Sequence, residues 1–129
     1  EKLSMPDSII PERLELILEH TEVIMERMLV VPDAVWLISS EEGQLMYDSL
    51  ISRLQAIGEN IKKIEKIQPG FTDQVLTMNA GNIIRFHDLI SHHYELLDHQ
   101  IIFDICKKDI PELHHKTFSY LNSPGNAGT

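Results

Sequence analysis

The sequence predicts an all-α protein, built as an up-and-down helical bundle. Apolar residues recur at helical spacing along most of the chain, strand-like alternation is nearly absent, and helix start and stop signals divide the chain into segments. A length of 129 residues with 43% hydrophobic residues is typical of one domain with one ordinary core. We therefore expect a bundle over residues 1–121 and a flexible, polar, glycine-rich tail over 122–129.

The first predicted helix occupies the amino-terminal part of the chain. It begins near Ser8, has Pro11 in its first turn, where proline is tolerated, and ends around Leu29. Pro32 sets this end, because a proline disfavours helix in the residue before it. The apolar face consists of Leu14, Ile17, Leu18, Thr21, Ile24, Met25 and Met28.

A long second helix follows. Ser39 and Glu42 form a capping-box pattern that starts it, and the Gln-Pro-Gly sequence at 68–70 stops it. Gly58 inside this helix costs about 1 kcal/mol relative to alanine, so either another helix approaches closely there or the helix bends, and we favour the close approach. The apolar stripe consists of Met46, Leu50, Leu54, Ile57, Ile61 and Ile64.

The rest of the chain is divided by turn and capping signals. A short helix is expected over 72–78, and the turn-forming sequence NAGN at 79–82 separates it from the next helix. Asp98 begins a further segment. Asp109, with Pro111 two residues later, indicates the start of the last helix.

The segment 83–94 carries the residues best suited to chemistry: an arginine, three histidines and a tyrosine within about three helical turns. One helical stripe contains Ile83, Phe86, Ile90, Tyr94 and Leu97, and a second, nearly opposite, contains Arg85, Leu89, His92 and Leu96. A helix that buries both sides in so short a chain is expected to lie between its own bundle and another subunit. We therefore predict a homodimer formed through this helix, with Arg85 and His92 in the interface.

Composition excludes several classes of function. The formal net charge of −9 argues against a broadly basic surface, so DNA is not expected as a partner and any RNA contact must be local. No apolar run is long enough for a bilayer and no signal-peptide pattern begins the chain, which predicts a cytoplasmic protein without a membrane partner.

Cysteine and histidine usage indicates neither a disulfide nor a metal site. The single cysteine, Cys106, lies in an apolar pattern and is interpreted as a small buried residue. Seven histidines are many for this length, but the adjacent ones would point about 100° apart on a helix. We therefore expect no metal and no cofactor, and a nucleotide- or metal-binding bundle remains the weakest alternative.

Four segments resemble one known family. They are RLELILE at 13–19, AIGENIKK at 56–63, IRFHDLISHHY at 84–94 and DIPEL at 109–113. Their order and spacing resemble the HepT-like HEPN proteins, helical bundles encoded beside minimal nucleotidyltransferases. The resemblance covers roughly residues 11 to 113.

The resemblance implies a dimeric, metal-independent endoribonuclease toxin with an Arg-x4-6-His site in a cleft between subunits. The catalytic roles would fall on Arg85 and His92, which are separated by six residues and lie within about 20° of each other on a helix. The resemblance also implies a cognate nucleotidyltransferase as antitoxin. That enzyme would modify Tyr94, two residues after the histidine, with AMP.

The chain departs from the family pattern at positions 87 and 88. Members of this subgroup usually have Arg-Asn there, whereas this chain has His87 and Asp88. We interpret both as candidate accessory residues, although the charge of Asp88 should weaken binding of a phosphate. The departure keeps an alternative open: a catalytically degenerate HEPN dimer that binds and positions a nucleotidyltransferase. In the plainest interpretation, His92 is a solvated surface residue and Tyr94 a packing residue.

Overall fold

Five α-helices make up most of the described chain. The structure, a computed structural model, describes residues 6–92, 95 and 97–123. The helices are α1 (Pro6–Met28), α2 (Glu41–Ile67), α3 (Gly81–His92), α4 (His99–Asp104) and α5 (Ile110–Leu121). No strand occurs in this part of the chain, so the prediction of an all-α bundle is confirmed. The proposed tail remains a prediction, because 124–129 lie outside the described residues.

Helices α1 and α2 form an antiparallel pair, and the predicted apolar faces lie between the helices. The Nη1 atom of Arg13 donates to Oδ1 of Asn60 at 3.2 Å, and Nη1 of Arg53 lies 3.0 Å from Nδ1 of His20. The residue number of the contact rises from 13 to 20 along α1 while it falls from 60 to 53 along α2, so the two helices are antiparallel. Helix α1 also packs against α5, and α2 packs against α3. None of the described helices is both long and apolar enough to cross a membrane.

The start of α2 lies one residue later than predicted. The cap is Ser40, whose Oγ accepts a hydrogen bond from the backbone N–H of Gly43 at 3.0 Å. Ser39 is not available as a cap because it ends a 3₁₀ turn, Val35–Ile38, and its hydroxyl donates back to the carbonyl of Val35. The sequence analysis missed this turn.

The short helix predicted for 72–78 is a π-helical turn, Phe71–Val75. Gly70 precedes it with a φ of +86°, a conformation that favours glycine. The carboxylate of Glu65 accepts hydrogen bonds from the backbone N–H groups of Gly70 and Thr72, both at 2.8 Å. These bonds fix the direction in which the chain leaves α2.

The last two helices are joined without a break. Asp98 begins this segment as predicted and caps α4, accepting from the N–H of Gln100 at 2.8 Å. Asp109 is the N-cap residue of α5 and Pro111 lies in the first turn, as predicted, but the Asp109 side chain makes no capping hydrogen bond and a π-helical segment, Ile105–Asp109, leads directly into α5. Proline has no N–H and its ring crowds the preceding turn. The wider π turn accommodates Pro111, so α5 begins where predicted but without a break in the chain before it.

Helix α3 approaches α2 at Gly58, as predicted. A Cβ built on Gly58 would lie 2.5 Å from the Cβ of His87 and 2.9 Å from its Cγ. Glycine therefore lets the backbones come close enough to bury His87, which is only 7% exposed. The cost of a glycine inside α2 is offset by this packing.

Replacing Gly58 with alanine is expected to destabilise the protein. Overpacking costs about 1–3 kcal/mol, and a contact with a Cβ, an atom fixed by the backbone, belongs to the upper part of that range. The gain in helix propensity is only about 1 kcal/mol. Chemical denaturation followed by circular dichroism measures the change.

The control variants separate the clash from helix propensity. Ser52→Ala, at an exposed position of α2, should leave the free energy of unfolding nearly unchanged. In a His87→Gly background, which removes the opposing Cβ, Gly58→Ala should become stabilising. If Gly58→Ala stabilises the wild-type protein equally, the close approach is not the reason for the glycine.

Candidate functional site

Helix α3 presents two different faces. Ile83, Phe86 and Ile90 of the first predicted stripe are buried, whereas Arg85 and His92 of the second are exposed. Seven positions bring Arg85 and His92 to the same side of the helix, about 10 Å apart along its axis. Their shared outward face therefore agrees with the sequence analysis. Tyr94 lies outside the described residues.

Arg85 is oriented by a neighbour from its own helix. Its Nη2 donates a hydrogen bond to Oδ1 of Asn82, one turn earlier. The side chain of Asn82 also interacts with the carboxylate of Asp109, at the end of the π-helical segment. Asn82 therefore lies between the guanidinium and the chain that leads into α5. His92 is the last residue of α3.

His87 is buried against α2, whereas Asp88 is exposed and lies between the α2 contact and the outward face. The Nε2 of His87 lies 2.9 Å from Oε1 of Glu59, and Nδ1 lies 3.5 Å from Oδ1 of Asp88. The second distance is too long for a good hydrogen bond, and the described residues give buried Nδ1 no other partner. The two residues that replace the family's Arg-Asn pair are therefore part of the helix contact. Their accessory role stays a prediction.

Asp88 is held by a lysine from α2. Its Oδ1 lies 3.1 Å from Nζ of Lys62, and both side chains are about half exposed. The hydrogen bond from Lys62 keeps the pKa of Asp88 below its ordinary value. Asp88 is therefore ionised at neutral pH, with a cation beside it.

A cleft of about 510 Å³ opens beside Arg85, between α3 and the segment from α4 to α5. We call it the Arg85 cleft. Its lining residues are Asn82, Arg85, Phe86, Leu89, Ile101, Asp104, Ile105, Lys108 and Asp109. Burial raises the pKa of Asp109 above its ordinary value, while the hydrogen bond from Asn82 opposes the shift.

The sequence analysis missed Asn82, Lys108 and Asp109 as neighbours of Arg85. A signal was present, because NAGN at 79–82 and DIPEL at 109–113 were both recognised as distinctive. Both were interpreted as local helix-start signals. Their contact across the fold is non-local, and neither helical periodicity nor capping rules predict it.

Among the described residues, no group of three or more histidine, cysteine, aspartate or glutamate side chains is placed to hold a metal ion. Cys106 is buried, and burial raises the pKa of its thiol to about 12. The thiol is therefore protonated at neutral pH, which agrees with its interpretation as a small packing residue.

A helical bundle with an arginine and a histidine on one exposed face of its third helix agrees with the HEPN-type bundle expected from the sequence. The family model described as ribonuclease HepT-like matches residues 37–117, more than half of the chain. The chain belongs to the HepT-like ribonuclease family. Comparison with curated proteins and with solved structures found no match in either set.

Asp109→Asn is expected to be more stable than the wild type at neutral pH, with an advantage that shrinks as the pH falls. The folded-state pKa of Asp109 lies above the unfolded value of about 3.9. The penalty for ionising it in the folded state is therefore absent below that value, develops as the pH rises through the folded pKa, and persists above it. Asparagine has no such penalty.

Denaturant unfolding of both proteins between pH 4 and pH 7.5 measures this difference. Asp73→Asn, at an exposed position of the Phe71–Val75 turn, is the matched control and should show little pH-dependent difference from the wild type. An Asp109→Asn effect that is the same at every pH would contradict a raised pKa.

Proposed function

We propose that this protein is a metal-independent endoribonuclease toxin of a HEPN/nucleotidyltransferase toxin–antitoxin system. The observation that carries the proposal is the exposure of Arg85 and His92 on one face of α3. A second copy docked on this face would form a cleft with two such pairs. Membership of the HepT-like ribonuclease family supports RNA as the substrate.

Without a metal, the reaction uses the substrate's own 2′-hydroxyl. Its oxygen attacks the neighbouring phosphorus, the bond to the 5′-oxygen breaks, and a 2′,3′-cyclic phosphate forms. His92 of one subunit takes the proton from the 2′-hydroxyl, and His92 of the other gives a proton to the departing 5′-oxygen. The forked donors of Arg85 stabilise the charge on the phosphorane oxygens.

The electrostatics of α3 are compatible with this role. Asp88, the residue expected to repel phosphate, is paired with Lys62. Its charge is therefore offset by a cation, which reduces the repulsion at a position that lies only about 60° from Arg85 and about 40° from His92 around the helix. Because the chain has a net charge of −9, it needs a local positive site to bind RNA, and Arg85 supplies one.

A second candidate function is that of a catalytically degenerate HEPN dimer that binds and positions its nucleotidyltransferase. The observation that favours it is the burial of His87 against Gly58, at the position of the family's usual arginine. A side chain held there cannot present a cation to RNA. In this alternative, Arg85 and His92 serve the dimer contact alone.

The proposed regulator is a cognate nucleotidyltransferase acting as antitoxin. The phenolic oxygen of Tyr94 would attack the α-phosphorus of ATP, pyrophosphate would leave, and the phenol proton would pass to a base or to water. The product is a tyrosine–AMP phosphodiester. It brings bulk and negative charge two residues from His92, which would exclude an RNA phosphate.

RNA cleavage with excess chelator tests the catalytic proposal. The wild-type protein should cleave a mixed single-stranded RNA, and His92→Ala should reduce the rate by about 100-fold or more, the usual contribution of an acid–base group. Arg85→Ala should cause a comparable loss, because it removes the cation that stabilises the phosphorane.

The matched controls are His115→Ala, at an exposed position of α5, and Arg27→Ala, in the last turn of α1. Both should keep wild-type rates and the wild-type oligomeric state. Absence of cleavage by a folded dimer would favour the degenerate alternative. Cleavage that needs added metal would contradict the mechanism.

Modification of Tyr94 has its own measurement. The protein is incubated with ATP and the nucleotidyltransferase encoded beside it, and intact-protein mass spectrometry should detect addition of AMP. Tyr94→Phe should remain unmodified and, if the wild-type protein cleaves RNA, should escape inhibition. Modification of Tyr94→Phe to the wild-type extent would assign the reaction to another residue.

A further inference from the structure

The charges around the Arg85 cleft cancel. Arg85 and Lys108 supply two positive charges, and Asp104 and Asp109 supply two negative ones. A phosphate inside the cleft would meet repulsion as well as attraction. An uncharged part of a nucleotide avoids that repulsion, so the cleft suits an RNA base better than a second phosphate.

The acidic side of the cleft offers hydrogen-bond acceptors. Asp104 accepts a bond from Nε2 of Gln100 at 3.0 Å, and Asp109 lies within reach of the side chain of Asn82. An ionised carboxylate has about four acceptor positions, so both retain capacity for a ligand that brings N–H donors. Guanine carries two such donors, N1–H and the 2-amino group, side by side on its Watson–Crick edge.

The remaining walls are apolar. Phe86 and Leu89 come from α3, and Ile101 and Ile105 from α4 and the π-helical segment. Ile101 is 45% exposed, so apolar surface extends to the mouth of the cleft. Unstacked bases of single-stranded RNA bind on surfaces that combine apolar packing with polar contacts to the base edge. A π-helical turn is also a frequent feature of functional sites.

We propose that the Arg85 cleft is a guanine subsite for a base next to the cleaved phosphate. The N1–H and 2-amino groups donate to the carboxylate of Asp109, and the face of the base packs on Leu89 and Ile101. The inference rests on the proposed ribonuclease function, because Arg85 at the edge of the cleft is the residue assigned to the phosphate. It adds a preference for guanine to that function.

Nucleotide binding tests the subsite without requiring cleavage. NMR spectra of the methyl-labelled protein follow Leu89, Ile101 and Ile105 while GMP, IMP or AMP is added. GMP should shift these resonances, IMP, which lacks the 2-amino group, should bind about tenfold more weakly, and AMP should not shift them. Asp109→Asn should weaken GMP binding by about tenfold or more, and the control Asp73→Asn should not.

The outcomes separate the subsite from the cleavage proposal. Equal shifts with GMP and AMP, no shift with any nucleotide, or GMP binding that Asp109→Asn leaves unchanged would each overturn the subsite. GMP binding at these methyl groups without any RNA cleavage would support the subsite and remove the catalytic proposal. RNA cleavage without guanine preference, together with no GMP binding, would support the catalytic proposal and overturn the subsite.

Discussion

The contact of α3 with α2 at Gly58 is the constraint on which the rest of the candidate site depends. Because Gly58 has no side chain, the backbone of α3 can approach until His87 is buried. Glu59 and Lys62, on the same stretch of α2, then engage His87 and Asp88. Because position 87 faces inward, helical geometry makes Arg85, two residues before it, and His92, five residues after it, face outward.

This constraint gives a physical meaning to the departure from the family pattern. An arginine at position 87 would point into the contact with α2, where little room is left beside Gly58. A histidine fits there and meets the carboxylate of Glu59 at 2.9 Å. The cation on the outward face of the helix is instead Arg85. Under the proposed function, the wider spacing to His92 follows from how this particular helix is docked.

Local rules predicted most of the fold and only part of the site. Helical periodicity identified the buried faces of α1 and α2, and the energetic cost of Gly58 indicated a close approach before the partner was known. Ser40 replaced Ser39 as a cap because a 3₁₀ turn competes for Ser39. Asn82 and Asp109 are distant in sequence but line the same cleft, a proximity that no local pattern predicts.

The link from Arg85 through Asn82 to Asp109 has a consequence for the charge of the outward face. Asn82 stands between the guanidinium and the carboxylate, so the arginine is oriented without a direct ion pair among the described residues. A direct pair would neutralise much of the positive charge and occupy the forked donors. Arginine has five N–H donors, and the contact with Asn82 uses a single Nη atom of Arg85. The amide therefore holds Arg85 in place while leaving both its charge and donors for a phosphate, and its own position depends on the π-helical segment that brings Asp109 to α3.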